Sequence, residues 1–140
     1  MYTGIETETR AAIYCRLSKD DLVRDGDSSS IQTQRTKLQQ YCDEHGWKVA
    51  GIFQDDGYTG LTMDRPGLTQ LLEAVERHEI DVLLTKDQSR LSRDYLHAGH
   101  LMEVFFPKNG VRYIAVDDNT DTDKENDIAA FRNVIKDTFR

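Results

Sequence analysis

The spacing of hydrophobic and polar residues along the chain predicts strands that alternate with helices. A first strand is predicted at Arg10–Leu17. Helical spacing follows over Ile31–His45, where Ser30 is a suitable N-cap and Gly46 a suitable C-terminal stop. The alternating segment Trp47–Phe53 predicts a second strand.

The second half of the chain repeats this order. It predicts a helix from Pro66, a buried strand at Ile80–Thr85, a long helix from about Asp94 to Lys108, and a fourth strand at Val111–Val116. An acidic loop then leads into a last helix that starts near Asp127. Strands that alternate with helices predict an α/β fold with a mainly parallel sheet of four to five strands, flanked by helices.

The length of 140 residues is enough for one ordinary domain. Residues 1–9 form a polar segment that we expect to be a disordered tail. The chain ends within an amphipathic pattern formed by Ile128, Phe131 and Ile135, so we expect it to be a fragment of a longer protein.

Composition and charge suit a globular chain, with 31% charged and 38% hydrophobic residues. The net charge of −7 argues at first against a nucleic-acid-binding domain. However, residues 117–127 contain six carboxylates and one lysine, which accounts for −5 of the −7. The acidity is therefore local, and a separate domain could supply the phosphate contacts that dominate DNA affinity.

No segment reaches the roughly 20 apolar residues of a membrane helix, and no signal peptide is recognisable. Cys15 and Cys42 form no CxxC motif, so we expect two buried free thiols, a reducing cytoplasm, and neither a metal nor another cofactor.

The first strand ends in a possible nucleophile. Alternation along a strand places Tyr14, Arg16 and Ser18 on one face. Ser18 could be a nucleophile beside an arginine, or it could be a serine that caps a helix or stabilises a turn.

Four arginines are predicted to converge on one sheet edge, because loops at the carboxyl ends of parallel strands meet there. Arg90 and Arg93 stand one helical turn apart, at or near the start of a predicted helix, and Arg16 and Arg65 come from two other loops. Guanidinium groups bind phosphate in a bidentate manner, which suits phosphoryl transfer. The alternative is that they are surface arginines paired with nearby carboxylates, namely Asp64, Asp87 and Asp94.

Other phosphoryl-transfer and hydrolase sites have less support. The chain has no GxxxxGK[ST] motif, and no histidine stands near Ser18 in the sequence. Asp55 and Asp56 could bind Mg²⁺, but the glycines at 57 and 60 are explained more simply by a tight turn.

Five short motifs follow one another along the chain. They are Tyr14-x-Arg16-x-Ser18, Ser30-Ile31-x-x-Gln34, Asp56-Gly57-x-x-Gly60, Arg65-Pro66-Gly67 and Ser89-Arg90-x-x-Arg93. This pattern resembles the resolvase/invertase catalytic domain of serine recombinases. It is most similar to the large serine recombinases of integrative and transposable elements.

The resemblance implies that Ser18 attacks a DNA phosphodiester and forms a 5′-phosphoserine intermediate, before strand exchange and religation. It implies that Arg16, Arg90 and Arg93 hold and activate the scissile phosphate. The remaining expected site residues support the site or bind phosphate, and they are Arg65, Gln34, Asp56 and Tyr14. Many small resolvases carry Asp where this chain has Ser89, so no acid is assigned, and no base is assigned either.

The resemblance also sets expectations for domains and partners. Residues 10–126 would be the catalytic domain, and residues 127–140 the truncated start of a long dimerisation helix. The expected partners are double-stranded DNA and further copies of the full-length protein, as a dimer or tetramer, in a bacterial, nucleoid-associated setting without a membrane.

Two other functions stay open. One is a non-catalytic resolvase-like module that binds DNA or protein. The other is a small-molecule phosphoryl-transfer enzyme, which would need a nucleotide loop that the sequence lacks.

Overall fold

A mostly parallel sheet lies at the centre of the fold. The computed structural model describes residues 8–19, 21 and 30–123. The strands within these ranges are β1 (Arg10–Leu17), β2 (Lys48–Asp56), β3 (Val82–Thr85), β4 (Arg112–Ala115) and β5 (Thr120–Asp121). Their order in the sheet is β2-β1-β3-β4-β5; the first four are parallel, and β5 is antiparallel to β4. The predicted α/β fold is confirmed.

Helices connect the parallel strands and cover both faces of the sheet. They are α1 (Ile31–His45), α2 (Pro66–Glu76), α3 (Gln88–Leu91), α4 (Tyr95–His100) and α5 (Phe106–Lys108). α1 has the predicted limits: the Ser30 hydroxyl accepts a hydrogen bond from the Thr33 amide at 3.1 Å, and Gly46 adopts φ 70°. Since φ near +70° strains residues with a Cβ atom, glycine suits this end of the helix.

The predicted long helix from Asp94 to Lys108 is interrupted. A π-helical turn, Leu101–Phe105, separates α4 from α5. Pro107 has no amide hydrogen to donate to the carbonyl of Glu103, so a regular α-helical ladder cannot continue through this point. The prediction of a single regular α-helix is therefore wrong at its centre, although the chain stays helical.

Two hydrophobic layers enclose the sheet, and side-chain alternation along β1 separates them. Ala12 and Tyr14 belong to the layer beneath α2 and α4, whereas Ile13 and Cys15 belong to the layer beneath α1. Cys15 and Cys42 are both buried free thiols, as predicted. Burial raises the pKa of the Cys15 thiol to about 12.

The predicted acidic loop after β4 contains the short strand β5. Arg112 on β4 donates to both carboxylate oxygens of Asp121 on β5, at 2.9 and 2.6 Å. This ion pair joins two neighbouring strands, and it neutralises one of the six carboxylates of residues 117–127. The last helix predicted from Asp127, like residues 1–7 of the predicted tail, lies outside the described residues. Of the helices that are described, none has the length and apolar character needed to cross a membrane.

Candidate active site

The carboxyl end of β1 carries three of the predicted site residues. Tyr14 and Arg16 are fully buried, and Ser18 exposes only 8% of its surface. Sheet pairing places Arg16 opposite Asp55 at the end of β2. The expected nucleophile therefore lies at the sheet edge where the polar loops meet, almost shielded from bulk solvent.

A fully buried carboxylate, Asp21, joins the serine to three arginines. The Ser18 hydroxyl donates to Oδ2 of Asp21 at 2.9 Å, and the Ser18 amide donates to the same oxygen at 2.7 Å. Arg16 Nη1 lies 3.3 Å from Oδ2. Arg90 Nη1 and Arg93 Nη2 lie 3.0 and 2.5 Å from Oδ1. Three guanidinium groups and one hydroxyl thus meet on a single anion.

The other donors of Arg16 hold two loops against β1. Its Nε donates to the carbonyl of Arg90 at 3.2 Å, and its Nη2 donates to the carbonyl of Ser89 at 2.6 Å. Its Nη1 also donates to the carbonyl of Tyr58 at 3.1 Å. Arg16 therefore has a structural role in addition to its contact with Asp21.

Arg65 lies behind this group and supports it. Its Nη1 donates to the carbonyl of Arg90 at 3.0 Å and to the Tyr14 hydroxyl at 3.1 Å. Its Nη2 donates to the carbonyl of Leu91 at 2.5 Å, and its Nε to that of Thr62 at 3.0 Å. Because these contacts engage every nitrogen of the guanidinium group, Arg65 positions the backbone that carries Arg90.

Tyr14 links Arg65 to the start of α2. Its hydroxyl donates to Oδ2 of Asp55 at 2.7 Å. The Asp55 carboxylate in turn accepts from the amides of Gly67 and Leu68 at 2.7 and 2.9 Å. A helix start has unpaired amides, so Asp55 acts as a cap supplied from β2.

The supporting carboxylate is therefore Asp55, and the structure does not place the predicted Asp56 in this group. Asp55 is buried, whereas Asp56 is exposed. A signal in the sequence could have distinguished them. Phe53 stands two residues before Asp55 on β2 and packs against the same layer as Tyr14, so alternation along the strand turns Asp55 inward and Asp56 outward.

Gln34 reaches the site from α1. Its Nε2 donates to the carbonyl of Arg16 at 3.0 Å, and its Oε1 accepts from the amide of Arg16 at 3.3 Å. Arg90 Nη1 donates to the same carbonyl at 3.2 Å. This buried amide holds the backbone of Arg16, two residues before Ser18.

Two glycines let the loop after β2 pack against the arginines. Gly57 adopts φ 89°, and its amide donates to the carbonyl of Leu17 at 2.6 Å. At Gly60, a Cβ atom would lie 2.9 Å from both Arg16 Nη2 and Arg93 Cγ. The carbonyl of Gly60 also accepts from the amide of Arg93 at 2.8 Å. The glycine motif is thus needed for a tight turn and for close packing.

Arg90 and Arg93 do not share the predicted helical turn. Arg90 lies on the four-residue α3, and Arg93 follows Ser92, which is extended at φ −164° and ψ 142°. Both side chains nevertheless reach Asp21. Arg90 Nε also lies 3.5 Å from Asp87, but Arg90 is fully buried, so the surface ion-pair alternative does not describe it.

Two charges in this group have shifted pKa values. Burial lowers the pKa of Arg16 to about 10, which leaves it charged at neutral pH. Burial also acts to raise the pKa of Asp21, but the hydrogen bonds from Ser18 and the charges of Arg90 and Arg16 outweigh it, so the pKa is lowered. Asp21 is therefore an ionised carboxylate at neutral pH. The sequence pattern gave no sign of this role, because Asp21 falls in a polar segment without periodicity.

Residues 11–137 match the family described as Resolvase, N terminal domain. The chain belongs to this family. Over 71 residues this resolvase domain is also 31% identical to uncharacterized immunity region protein 3 of Bacillus phage phi105. That match covers 51% of this chain and 84% of the phage protein.

Solved structures of serine recombinases have the same fold. The N-terminal catalytic domain of TP901-1 integrase is 26% identical with a TM-score of 0.82, and the match covers 91% of this chain and 95% of that chain. The C-terminal catalytic domain of ISC1926 TnpA, an IS607-like serine recombinase, is 29% identical with a TM-score of 0.64. The match covers 92% of this chain and 78% of that chain. A resolvase family site-specific recombinase from Streptococcus pneumoniae, at 18% identity and a TM-score of 0.76, covers 92% and 87% and shares the fold. This resolvase domain is thus a serine recombinase catalytic domain by family and by fold.

Proposed function

We propose that this domain cleaves and rejoins DNA through Ser18. The observation that carries the proposal is the meeting of the Ser18 hydroxyl with Arg16, Arg90 and Arg93 at one buried point. A nucleophile and three cations around one anion position are what the transfer of a phosphodiester requires.

In the proposed reaction, Ser18 Oγ forms a bond to phosphorus while the bond between phosphorus and the 3′ oxygen breaks. The serine loses its proton and the departing 3′ oxygen gains one, which leaves a 5′-phosphoserine and a 3′-hydroxyl. Religation is the reverse step after strand exchange, and it needs no nucleotide because a phosphoester bond is exchanged for another. Negative charge on the non-bridging oxygens in the transition state is stabilised by the arginines, since a water-poor site strengthens these interactions.

Protein groups hold the arginines in position. Gln34, Arg65 and Tyr14 hold the backbone and side chains around them through the buried hydrogen bonds described above. Positions fixed in advance reduce the reorganisation needed in the transition state. The family supports double-stranded DNA as the substrate, and it supports assembly into dimers or tetramers in the full-length protein.

The test is the recovery of a covalent protein–DNA adduct. The protein is incubated with genomic DNA of its source organism, SDS-resistant complexes are captured, and the modified peptide is identified by mass spectrometry. We expect DNA attached to the peptide that contains Ser18, and its loss in Ser18→Ala. Ser92→Ala is the matched control, because Ser92 is equally buried but its hydroxyl binds the Asp94 backbone in a local turn. An adduct that persists in Ser18→Ala, or that maps to another residue, would contradict the proposal.

A non-catalytic DNA-binding module is the other function that the family allows. In that case, Ser18→Ala would leave DNA binding unchanged, and no adduct would form with the unmodified protein. The direct hydrogen bond of the Ser18 hydroxyl to the anion held by the arginines favours catalysis.

A further inference from the structure

The Asp21 carboxylate has the surroundings expected of a bound phosphodiester. Its two oxygens sit on one carbon and accept from the Ser18 hydroxyl and from three arginines. A phosphodiester presents two non-bridging oxygens on one phosphorus, carries the same single charge, and is recognised by the same planar guanidinium donors. Asp21 is fully buried, so this carboxylate is inside the site and not at its rim.

The local charge balance explains why a carboxylate is held here. Arg16, Arg90 and Arg93 bring three positive charges within hydrogen-bond or ion-pair distance of one negative charge. Buried cations without an anion are costly, since desolvation is not offset. A second anion at the same point would in turn be repelled by Asp21. The two anions are therefore competitors for the same donors.

One donor in the group shows remaining capacity for an oxygen ligand. The Nε of Arg93 is buried and has no hydrogen-bond acceptor among residues 8–19, 21 and 30–123. The Nη2 of the same side chain contacts Asp21. A carboxylate thus leaves part of this guanidinium edge unused, and a phosphodiester, which has two ester oxygens besides its two non-bridging oxygens, could engage it.

A role for Asp21 as a resident proton acceptor fits the arrangement less well. The arginines and the Ser18 amide stabilise its ionised form, which makes the carboxylate a weak base while they stay in contact. If a phosphate takes the arginines from Asp21, that stabilisation is lost. Asp21 could therefore accept a proton only after a phosphate has displaced it from the arginines.

From these contacts we infer that Asp21 occupies the position of the scissile phosphate in the DNA-free domain and must be displaced when a phosphodiester binds. Without DNA, the carboxylate keeps the three arginines and Ser18 together. Anions that bind the arginines only weakly do not displace it. The inference rests on the proposed function for the identity of the phosphodiester, but anion binding can be measured without cleavage.

The test compares the binding of dimethyl phosphate to this chain and to Asp21→Asn by NMR titration. We expect Asp21→Asn to bind at least about tenfold more tightly, because the competing charge is gone while the arginines remain. Asp81→Asn is the matched control: it removes the same charge from an ion pair with Arg10, at the other end of β1, and should leave the affinity unchanged. Equal or weaker binding by a folded Asp21→Asn overturns the inference.

A second measurement covers the case in which Asp21→Asn does not fold. In the unsubstituted chain, saturating dimethyl phosphate should shift the carboxyl-carbon resonance of Asp21 and the amide resonance of Ser18, since both lose their present partners. Binding that leaves the Asp21 carboxyl resonance unchanged would show that both anions are accommodated together, and would overturn the inference. Failure of the Ser18 adduct experiment alone would refute the proposed reaction while leaving this anion exchange intact.

Discussion

The Tyr14 hydroxyl offers a quantitative test of how the arginine site is held in place. Tyr14→Phe removes one oxygen and leaves the ring in the core. That oxygen donates to the Asp55 carboxylate at 2.7 Å and accepts from the Arg65 guanidinium at 3.1 Å. Hydrogen bonds to charged groups contribute about 1.5–3 kcal/mol each to stability. Both partners keep other contacts, so we expect a loss of about 2–3 kcal/mol in the free energy of unfolding.

Tyr113→Phe is a matched control from the same sheet. Tyr113 is also fully buried, and its hydroxyl makes one hydrogen bond to the Thr85 hydroxyl at 2.6 Å. Removing a bond between two neutral groups should cost about 1 kcal/mol. Burial raises the pKa of both tyrosines, so neither hydroxyl ionises at neutral pH and the comparison is not affected by a change in charge.

Urea unfolding followed by circular dichroism measures both variants. We expect a lower midpoint for each with an unchanged slope, and a melting temperature lower by about 4 °C for each kcal/mol lost. The reasoning is refuted if Tyr14→Phe costs no more than Tyr113→Phe. A double-mutant cycle of Tyr14→Phe with Asp55→Asn should show a coupling energy of about 1 kcal/mol or more, because the two groups are in direct contact.

Two further predictions concern packing and pH. Gly60→Ala should destabilise the chain by about 1–3 kcal/mol, because the new Cβ would meet two arginine side chains at 2.9 Å; a folding midpoint equal to that of the parent chain would contradict this. The free energy of unfolding should fall as the pH drops below about 4, because the folded chain holds the pKa values of Asp21 and Asp81 below their ordinary values. Such groups contribute fully above the ordinary pKa and lose their contribution as the pH falls through the lowered one. Acid titration of stability checks this, and Asp81→Asn should show a shallower decline.

The sequence was enough to predict helices whose ends carry residues that favour a helix terminus. Ser30 and Gly46 mark α1 because a hydroxyl cap and a left-handed backbone each favour particular residues. Pro66 marks the first turn of α2 for a similar reason. The two-residue strand β5 was not predicted, because it depends on pairing with β4 and has no pattern of its own.

The serine and the arginines of the candidate site were proposed from the sequence, but its two buried carboxylates, Asp21 and Asp55, were not. The topology of a parallel sheet implies that Ser18 and the arginine loops meet. It does not imply that Asp21 lies among them, since a short polar segment can turn back in many ways. Nor does it distinguish arginines that meet the anion, such as Arg93, from Arg65, whose donors all contact other protein groups. The distinction depends on which backbone carbonyls lie near each arginine, and a residue pattern does not show this because every residue has a carbonyl.

The hydrogen bonds from arginine side chains to backbone carbonyls affect how inactive relatives of this domain can be recognised. Arg16 and Arg65 tie the loop after β2 and the α3 segment to β1, and a descendant without catalytic activity would still need them in order to fold. Their retention in a related sequence is therefore a sign of folding. The Ser18 hydroxyl ties no loop to another, because its bond to Asp21 spans three residues. A relative that keeps these arginines but lacks the serine would therefore be a domain that has kept the fold and lost the catalytic activity.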